Sequence, residues 1–312
     1  MINHPRISEL LLETGAYRDL EQPVIMTSGE LGIYYINTEM LCQDGGKFND
    51  FGDNSQLMIH HAVQMMHEHP TFHEVINILS KEAEILFKQS IPPKAISGGQ
   101  RRDWIFSGPV AHQLGLPHFS LYKQEADKPD KIDWIDPNGC RLEWPERLDS
   151  KATHFTIVHV VDLITEGSSV YKTEKGNDSG WVPMLRARGG NVTDLVAVVT
   201  RQQKGEEMLA EKGVKVRPFV AINEDFLNQH SSNPERAVAY LQNPRKWNED
   251  YLREHGALAF VETFDPAKGK LDRAQKFVKR YFEVLEQHEK LQELESAVYS
   301  RYKSTLNGAK RR

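Results

Sequence analysis

The chain has 312 residues, 27% of them charged, with a formal net charge of -5. That length holds one large α/β domain or a medium domain with an appendage, and the slight acidity offers duplex nucleic acid no broad basic surface. Cys42 and Cys140 make neither a disulfide framework nor a zinc motif, and no long uncharged apolar run offers a membrane span; a cytoplasmic protein with no nucleic-acid or membrane partner is the expectation.

Residues 5–12 read as a short helix, with Pro5 in its first turn and Ile7, Leu10 and Leu11 at helical spacing. Residues 23–37 then give an apolar strand, the turn Thr27-Ser28-Gly29 and an aromatic strand with Tyr34 and Tyr35, a hairpin by its turn chemistry. Residues 42–54 are loop-like. Helices follow at 55–68 and 71–87, separated by Pro70. His60 and His67 share a helical face there but lack the i,i+4 pair and acid of a zinc helix, so they read as surface or core histidines and no metal ligand is assigned.

A strand ending in Gly98-Gly99-Gln100-Arg101-Arg102 comes next. A Gly-rich strand end with two arginines suits a pyrophosphate, because guanidinium groups present planar, charge-assisted forks of donors. A solvated basic turn is the bland alternative. A helix over 104–114 stops at Gly115-Leu116-Pro117, and a strand from His118 runs into a polar loop carrying Lys123, Lys128 and Lys131. Residues 132–148 read as an extra hairpin that extends the sheet, with a lid over the site as the alternative.

The richest stretch is 153–170. A β-branched apolar run, the mark of a strand buried on both faces, delivers Asp162 and then Thr165-Glu166-Gly167-Ser168-Ser169, and a helix is expected from Ser169 to Lys172, interrupted by a loop at 176–180 and resumed over 182–188. A strand-turn-helix corner of this kind leaves N–H groups unpaired at a helix N-terminus and so makes a phosphate seat, which Gly167 lets the ligand approach closely. It has neither Walker nor G-x-G-x-x-G spacing. Residues 191–200 form another apolar strand with Arg201 at its carboxyl end, where open α/β sheets place ligand groups. A turn, a helix and a strand near 214 follow. From Asn233 the chain is helical, with an amphipathic stripe through Leu271, Phe277, Tyr281, Leu285, Leu294 and Tyr302 that either packs on the core or meets a second copy.

The 153–170 stretch resembles the PRPP-binding signature of type I phosphoribosyltransferases: apolar residues, two acids, two apolar residues, then Thr-x-Gly and small residues. Asp162 matches the second acid, and Val161 stands where the first would be. Three further stretches resemble orotate phosphoribosyltransferases in the family's order. They are Thr27-Ser28-Gly29 with Tyr34-Tyr35-x-Asn37, the Gly98 to Arg102 loop, and Arg201 with the helix and strand after it. Departures are Thr27 for a lysine, Tyr122 for an arginine, Ala126 for the second loop lysine, Lys128 for a histidine and Thr200 for an acid.

The resemblance implies an α/β fold of the type I phosphoribosyltransferase kind, with a mostly parallel central sheet flanked by helices. The expected division is a domain over 1–232, with a small N-terminal hood at 1–50 and an inserted hairpin at about 130–150, and a helical C-terminal extension over 233–312. It implies a homodimer that transfers the ribose 5-phosphate of PRPP to orotate, with Mg²⁺ carried mainly by PRPP. By the same resemblance Lys123 and Lys128 would be catalytic. Arg101, Arg102, Asp162, Thr165, Glu166, Gly167, Ser168 and Ser169 would bind PRPP, and Thr27, Ser28, Gly29, Tyr34, Tyr35 and Arg201 the base. A non-catalytic PRPP- or nucleotide-binding regulator, or a transferase for a different base, are the alternatives.

Overall fold

The computed structural model describes residues 3–88, 93–123, 131–142, 155–174, 176–202 and 204–306. In chain order it runs α1 (Pro5–Glu13), β1 (Tyr17–Ile25), β2 (Leu31–Ile36), α2 (Ser55–Glu68), α3 (Pro70–Phe87), β3 (Lys94–Gly99) and α4 (Arg102–Leu114). Next come β4 (His118–Leu121), β5 (Ile132–Ile135), β6 (Arg141–Leu142), β7 (Thr156–Ile164), β8 (Lys172–Glu174), β9 (Asn177–Ser179) and α5 (Trp181–Arg186). Then follow β10 (Asn191–Thr200), α6 (Gly205–Glu211), β11 (Lys215–Ala221), α7 (Glu224–His230), α8 (Pro234–Gln242), α9 (Pro244–His255), α10 (Leu271–Gln287) and α11 (Lys290–Tyr302).

These elements form two compact units, and the chain crosses between them three times. One unit comprises 1–17 and 37–222, the other 18–36 and 223–312. The expected boundary at 232/233, with a hood kept inside the first domain, gives way to this discontinuous division. The reason is packing: Ile25 and Leu31 of the hairpin share a buried cluster with Phe260, Phe277, Tyr281, Leu285 and Leu294 of the C-terminal helices.

In the sheet unit the strand order is β11-β10-β7-β3-β4-β5-β6. The first five strands are parallel and β5 and β6 are antiparallel at one edge, so the segment expected as an extra hairpin extends the sheet past β4. Central β7 is apolar on both sides because helices cover both faces. Ile157 and Val161 point into a cluster with Trp181, Val182, Leu185 and Leu209. The alternate positions turn the other way, where α4 packs on β3 and β7. Two buried serine–histidine pairs lie in and against the sheet. Ser97 Oγ lies 2.8 Å from His159 Nδ1, and Ser107 Oγ 2.7 Å from His118 Nε2. Burial pulls both histidines down to about 3.

The helical unit is punctuated by asparagine caps. Asn223, Asn233 and Asn243 accept N–H groups at the starts of α7, α8 and α9, and Pro234 and Pro244 occupy the first helical position of the last two. The amphipathic stripe is carried by two helices, α10 and α11, separated at Glu289, whose φ is +57°. Phe277, Val278, Leu285 and Leu294 are all fully buried inside this unit. Buried Asn248 donates to Tyr281 Oη at 2.8 Å.

Candidate functional site

The carboxyl ends of β3, β7 and β10 carry the site residues of the sheet unit. β3 and β7 pair from Lys94↔Thr156 to Ser97↔His159 and no further, so the two strands part beyond that point. β7 and β10 stay paired to Ile164↔Thr200. A parallel sheet whose neighbouring strands separate at their carboxyl ends opens a crevice there, the place where open α/β sheets bind ligands.

Asp162 lies at this crevice, 8% exposed, and its Oδ2 accepts from buried Thr38 Oγ1 at 2.8 Å. Period-two alternation puts Val161 on the opposite face, among the apolar side chains under α5. The turn after β7 has Gly167 at φ +73°. Gly167 O accepts from Val170 N–H at 2.9 Å and Tyr171 N–H at 3.0 Å. Among the described residues, the N–H groups of Glu166, Gly167, Ser168 and Ser169 meet no protein acceptor, and Glu166, Ser168 and Ser169 are exposed. Behind the turn, a Cβ on Gly205 would come within 2.4 Å of Thr165 O, so glycine there lets the start of α6 press on the turn's backbone.

The helix expected directly after Ser169 is divided. Tyr171 starts an excursion through the β8–β9 hairpin, held by Tyr171 Oη and Thr173 Oγ1, each donating to Asp178 at 2.6 Å. The chain returns at Gly180 (φ +106°), where Trp181 N–H and Val182 N–H donate to Ser169 O and Val170 O at 3.1 and 3.0 Å. The first helical turn and α5 are thus joined by hydrogen bonds across a spliced-in hairpin. Local turn chemistry at 176–180 outcompetes helix continuation.

Facing the turn's strand across the crevice is the loop after β3, in which the Gln100–Arg101 peptide is cis. Arg101 donates to Phe48 O at 3.1 Å, and Arg102 Nε to Glu39 Oε1 at 3.0 Å. Lys123 is exposed at the end of β4, and its N–H donates to Gln100 Oε1 at 2.8 Å. Tyr122, where the resemblance has an arginine, faces inward and donates to Asp133 at 2.5 Å, with Ser55 Oγ 2.9 Å from the same hydroxyl. Burial and the Asp133 contact push its hydroxyl up to about 12. Lys131 Nζ lies 3.7 Å over that ring. Lys128 and Ala126 lie outside the described residues. Arg201 follows β10, 8% exposed, with its N–H donating to Ile164 O at 2.9 Å. Thr200 before it is fully buried.

The other residues expected at the base belong to the helical unit. Gly29 (φ +85°) lies against α10, where a Cβ would come within 2.8 Å of Lys276 C and Phe277 N. Thr27 O accepts from Lys276 Nζ at 3.3 Å, and Ser28 Oγ lies 3.5 Å from Glu30 Oε2. Tyr34 is 3% exposed and meets Tyr240 edge-on, and Arg18 sits 5.3 Å over Tyr35. In this unit the turn and its tyrosines have packing roles.

Three site residues escaped sequence reading: Thr38, Glu39 and Asp103. Each is adjacent to a motif that was read (Asn37, Arg102), but none announces a contact 59 or more positions away. Asp103, in the first turn of α4, accepts from Gly99 N–H at 3.0 Å and from Asp162 N–H at 3.1 Å. Burial and the neighbouring Asp162 carboxyl hold it well above the usual carboxylate range. Among the described residues no three His, Cys, Asp or Glu side chains gather as a metal cage, and no helix is long and apolar enough to cross a membrane.

Solved structures similar to this chain include orotate phosphoribosyltransferase from Aeropyrum pernix, at 16% identity over 72% of this chain and 97% of that one, with a TM-score of 0.47. Leishmania donovani UMP synthase matches 76% of this chain at 16% identity and a TM-score of 0.44, this chain spanning 41% of it. Adenine phosphoribosyltransferase from Trypanosoma brucei, in complex with AMP, pyrophosphate and ribose-5-phosphate, matches at 12% identity over 70% of this chain and 80% of that one, with a TM-score of 0.42. No family model matches the chain. At these identities and TM-scores the matches bear on neither activity nor substrate.

Proposed function

We propose that this chain is a phosphoribosyltransferase that moves the ribose 5-phosphate of PRPP onto a carboxylate-bearing pyrimidine base such as orotate, releasing pyrophosphate. One observation carries the reading. A turn with open N–H groups from Glu166 to Ser169 ends the central strand, three residues beyond an acid, beside a crevice edged by Arg101 and Arg102.

In this reaction the bond from ribose C1 to the pyrophosphate oxygen breaks and its electron pair leaves with pyrophosphate. An oxocarbenium-like centre results, and a ring nitrogen of the base, giving up its proton to solvent, supplies the pair for the new C–N bond. Thr165, Glu166, Gly167, Ser168 and Ser169 would seat the 5′-phosphate with backbone N–H groups and two serine hydroxyls. Asp162 would accept hydrogen bonds from the ribose hydroxyls. Arg101, Arg102 and Lys123 would neutralise the leaving pyrophosphate, with Lys128 as the further loop cation. Arg201 would face the carboxylate of the base. Magnesium, carried by PRPP, would add charge neutralisation at the diphosphate. Positioning and electrostatics supply most of such a rate enhancement. The homodimer and cytoplasmic setting of the resembled family belong to the same proposal.

A second reading, a PRPP- or nucleotide-binding regulator without turnover, is favoured by one contact. Glu39 already occupies Arg102 Nε, so a carboxylate stands where a diphosphate oxygen would sit. The test is PRPP- and Mg²⁺-dependent consumption of orotate, followed by its ultraviolet absorbance, beside Arg201→Ala. Turnover that collapses in the variant supports the transferase. Absence of turnover with a PRPP-induced rise in Tm selects the regulator or another base, and absence of both removes the phosphate seat.

A further inference from the structure

Asp103 occupies a position no motif accounts for. Its carboxylate spans the gap left where β3 and β7 stop pairing at Ser97↔His159. Oδ2 accepts the Gly99 N–H on the β3 side, and Oδ1 accepts the Asp162 N–H on the β7 side. Trp104, the next residue, donates its indole N–H to Gly98 O at 3.0 Å. The first turn of α4 therefore grips both strand ends, and the side chain replaces the missing ladder bonds. The position at 99 is cut to fit, since a Cβ there would come within 2.9 Å of Asp103 Oδ2 and 2.3 Å of Trp181 Nε1. A carboxyl is the side chain suited to this task, because its two oxygens can each meet one of the two N–H groups that converge on it. It also brings a second carboxyl beside Asp162, which Val161 cannot do from the apolar face of the strand.

We propose that Asp103 is a positioning residue of the site, a carboxylate bridge that sets the width of the crevice between β3 and β7 and so aims Asp162 and the Gly99–Arg102 loop at one ligand, the ribose and diphosphate of PRPP. This rests on the PRPP reading above. The turn after Ile164 is attached to β7 and β10 and lies outside the bridge, so seating of a lone phosphate does not depend on Asp103.

The experiment is calorimetric binding of PRPP with Mg²⁺, and separately of inorganic phosphate, to the full chain and to Asp103→Asn and Asp103→Ser. Asparagine turns an amide donor toward one of the two N–H groups; serine removes the bridge without that repulsion. Loss of two hydrogen bonds of this kind predicts PRPP affinity lower by about tenfold to a hundredfold, with phosphate affinity within about twofold of the parent. PRPP affinity unchanged in both variants overturns the inference and leaves the function standing. Parallel loss of PRPP affinity, phosphate affinity and Tm, or failure of both variants to fold, makes Asp103 a folding residue and also overturns it. A parent chain that binds phosphate but not PRPP overturns the function itself, and the inference with it.

Discussion

Two glycine-centred turns that look alike in sequence, Thr27-Ser28-Gly29 and Thr165-Glu166-Gly167, have opposite fates. Gly29 is pressed against the backbone of α10, and its lack of a Cβ serves packing. A Cβ on Gly167 would meet first the tip of Met208 and then the Gly205 backbone, and the N–H groups of residues 166–169 meet no protein acceptor among the described residues. Turn chemistry prescribes a backbone shape, and what surrounds the turn decides whether that shape closes a core or opens a ligand seat.

The largest effect is expected one residue from the site, on its apolar side. Val161→Asp restores the acid that the resemblance lacks but buries it beneath Trp181 and Val182. Unfolding in urea should show a loss of about 3 to 5 kcal/mol, from the desolvated carboxyl and the lost packing together, and no gain in PRPP binding. Improved binding with unchanged stability would mean that position 161 faces the crevice after all. Gly29→Ala should cost the helical unit about 2 to 4 kcal/mol, since a strained φ and a collision with the Lys276–Phe277 backbone add.

Acid should distinguish the units next. His118 and His159 in the sheet unit are held down to about 3 by burial. Below the ordinary histidine value of about 6.5 the unfolded chain takes up protons that the folded chain refuses, so stability falls as pH drops from there toward 3. At pH 5 each costs about 2 kcal/mol, and His118→Asn should flatten the slope of Tm against pH. The smallest change in stability belongs to Gly167→Ala, about 1 kcal/mol, because only φ is strained and Met208 can yield. That same variant should nevertheless lose the Tm rise produced by PRPP. A preserved rise would mean the turn is not the seat.

Much of the sheet unit was legible. Strands near 94, 118, 155, 192 and 214 and helices at 55–68 and 71–87 follow from hydrophobic period and punctuation by Gly and Pro, which act locally. The site was legible in part. Asp162, Arg101, Arg102 and Arg201 lie at strand ends that apolar runs reveal. Tyr122 illustrates the limit, because nothing nearby in sequence says that its hydroxyl reaches Ser55 and Asp133 instead of the crevice. The hairpin at 172–179 was read as helix interrupted by a loop, since three-residue strands leave too little period to detect.

By itself, the sequence determined the elements, their faces and the order of the parallel strands' motifs, all of which depend on residues within a turn or two of one another. Only the tertiary structure decided that residues 18–36 join 223–312, that Thr38 and Asp103 meet Asp162, and that Gly29 packs where Gly167 opens. Those outcomes rest on buried area and hydrogen bonds between groups tens to hundreds of residues apart, and local pattern carries no record of such distances.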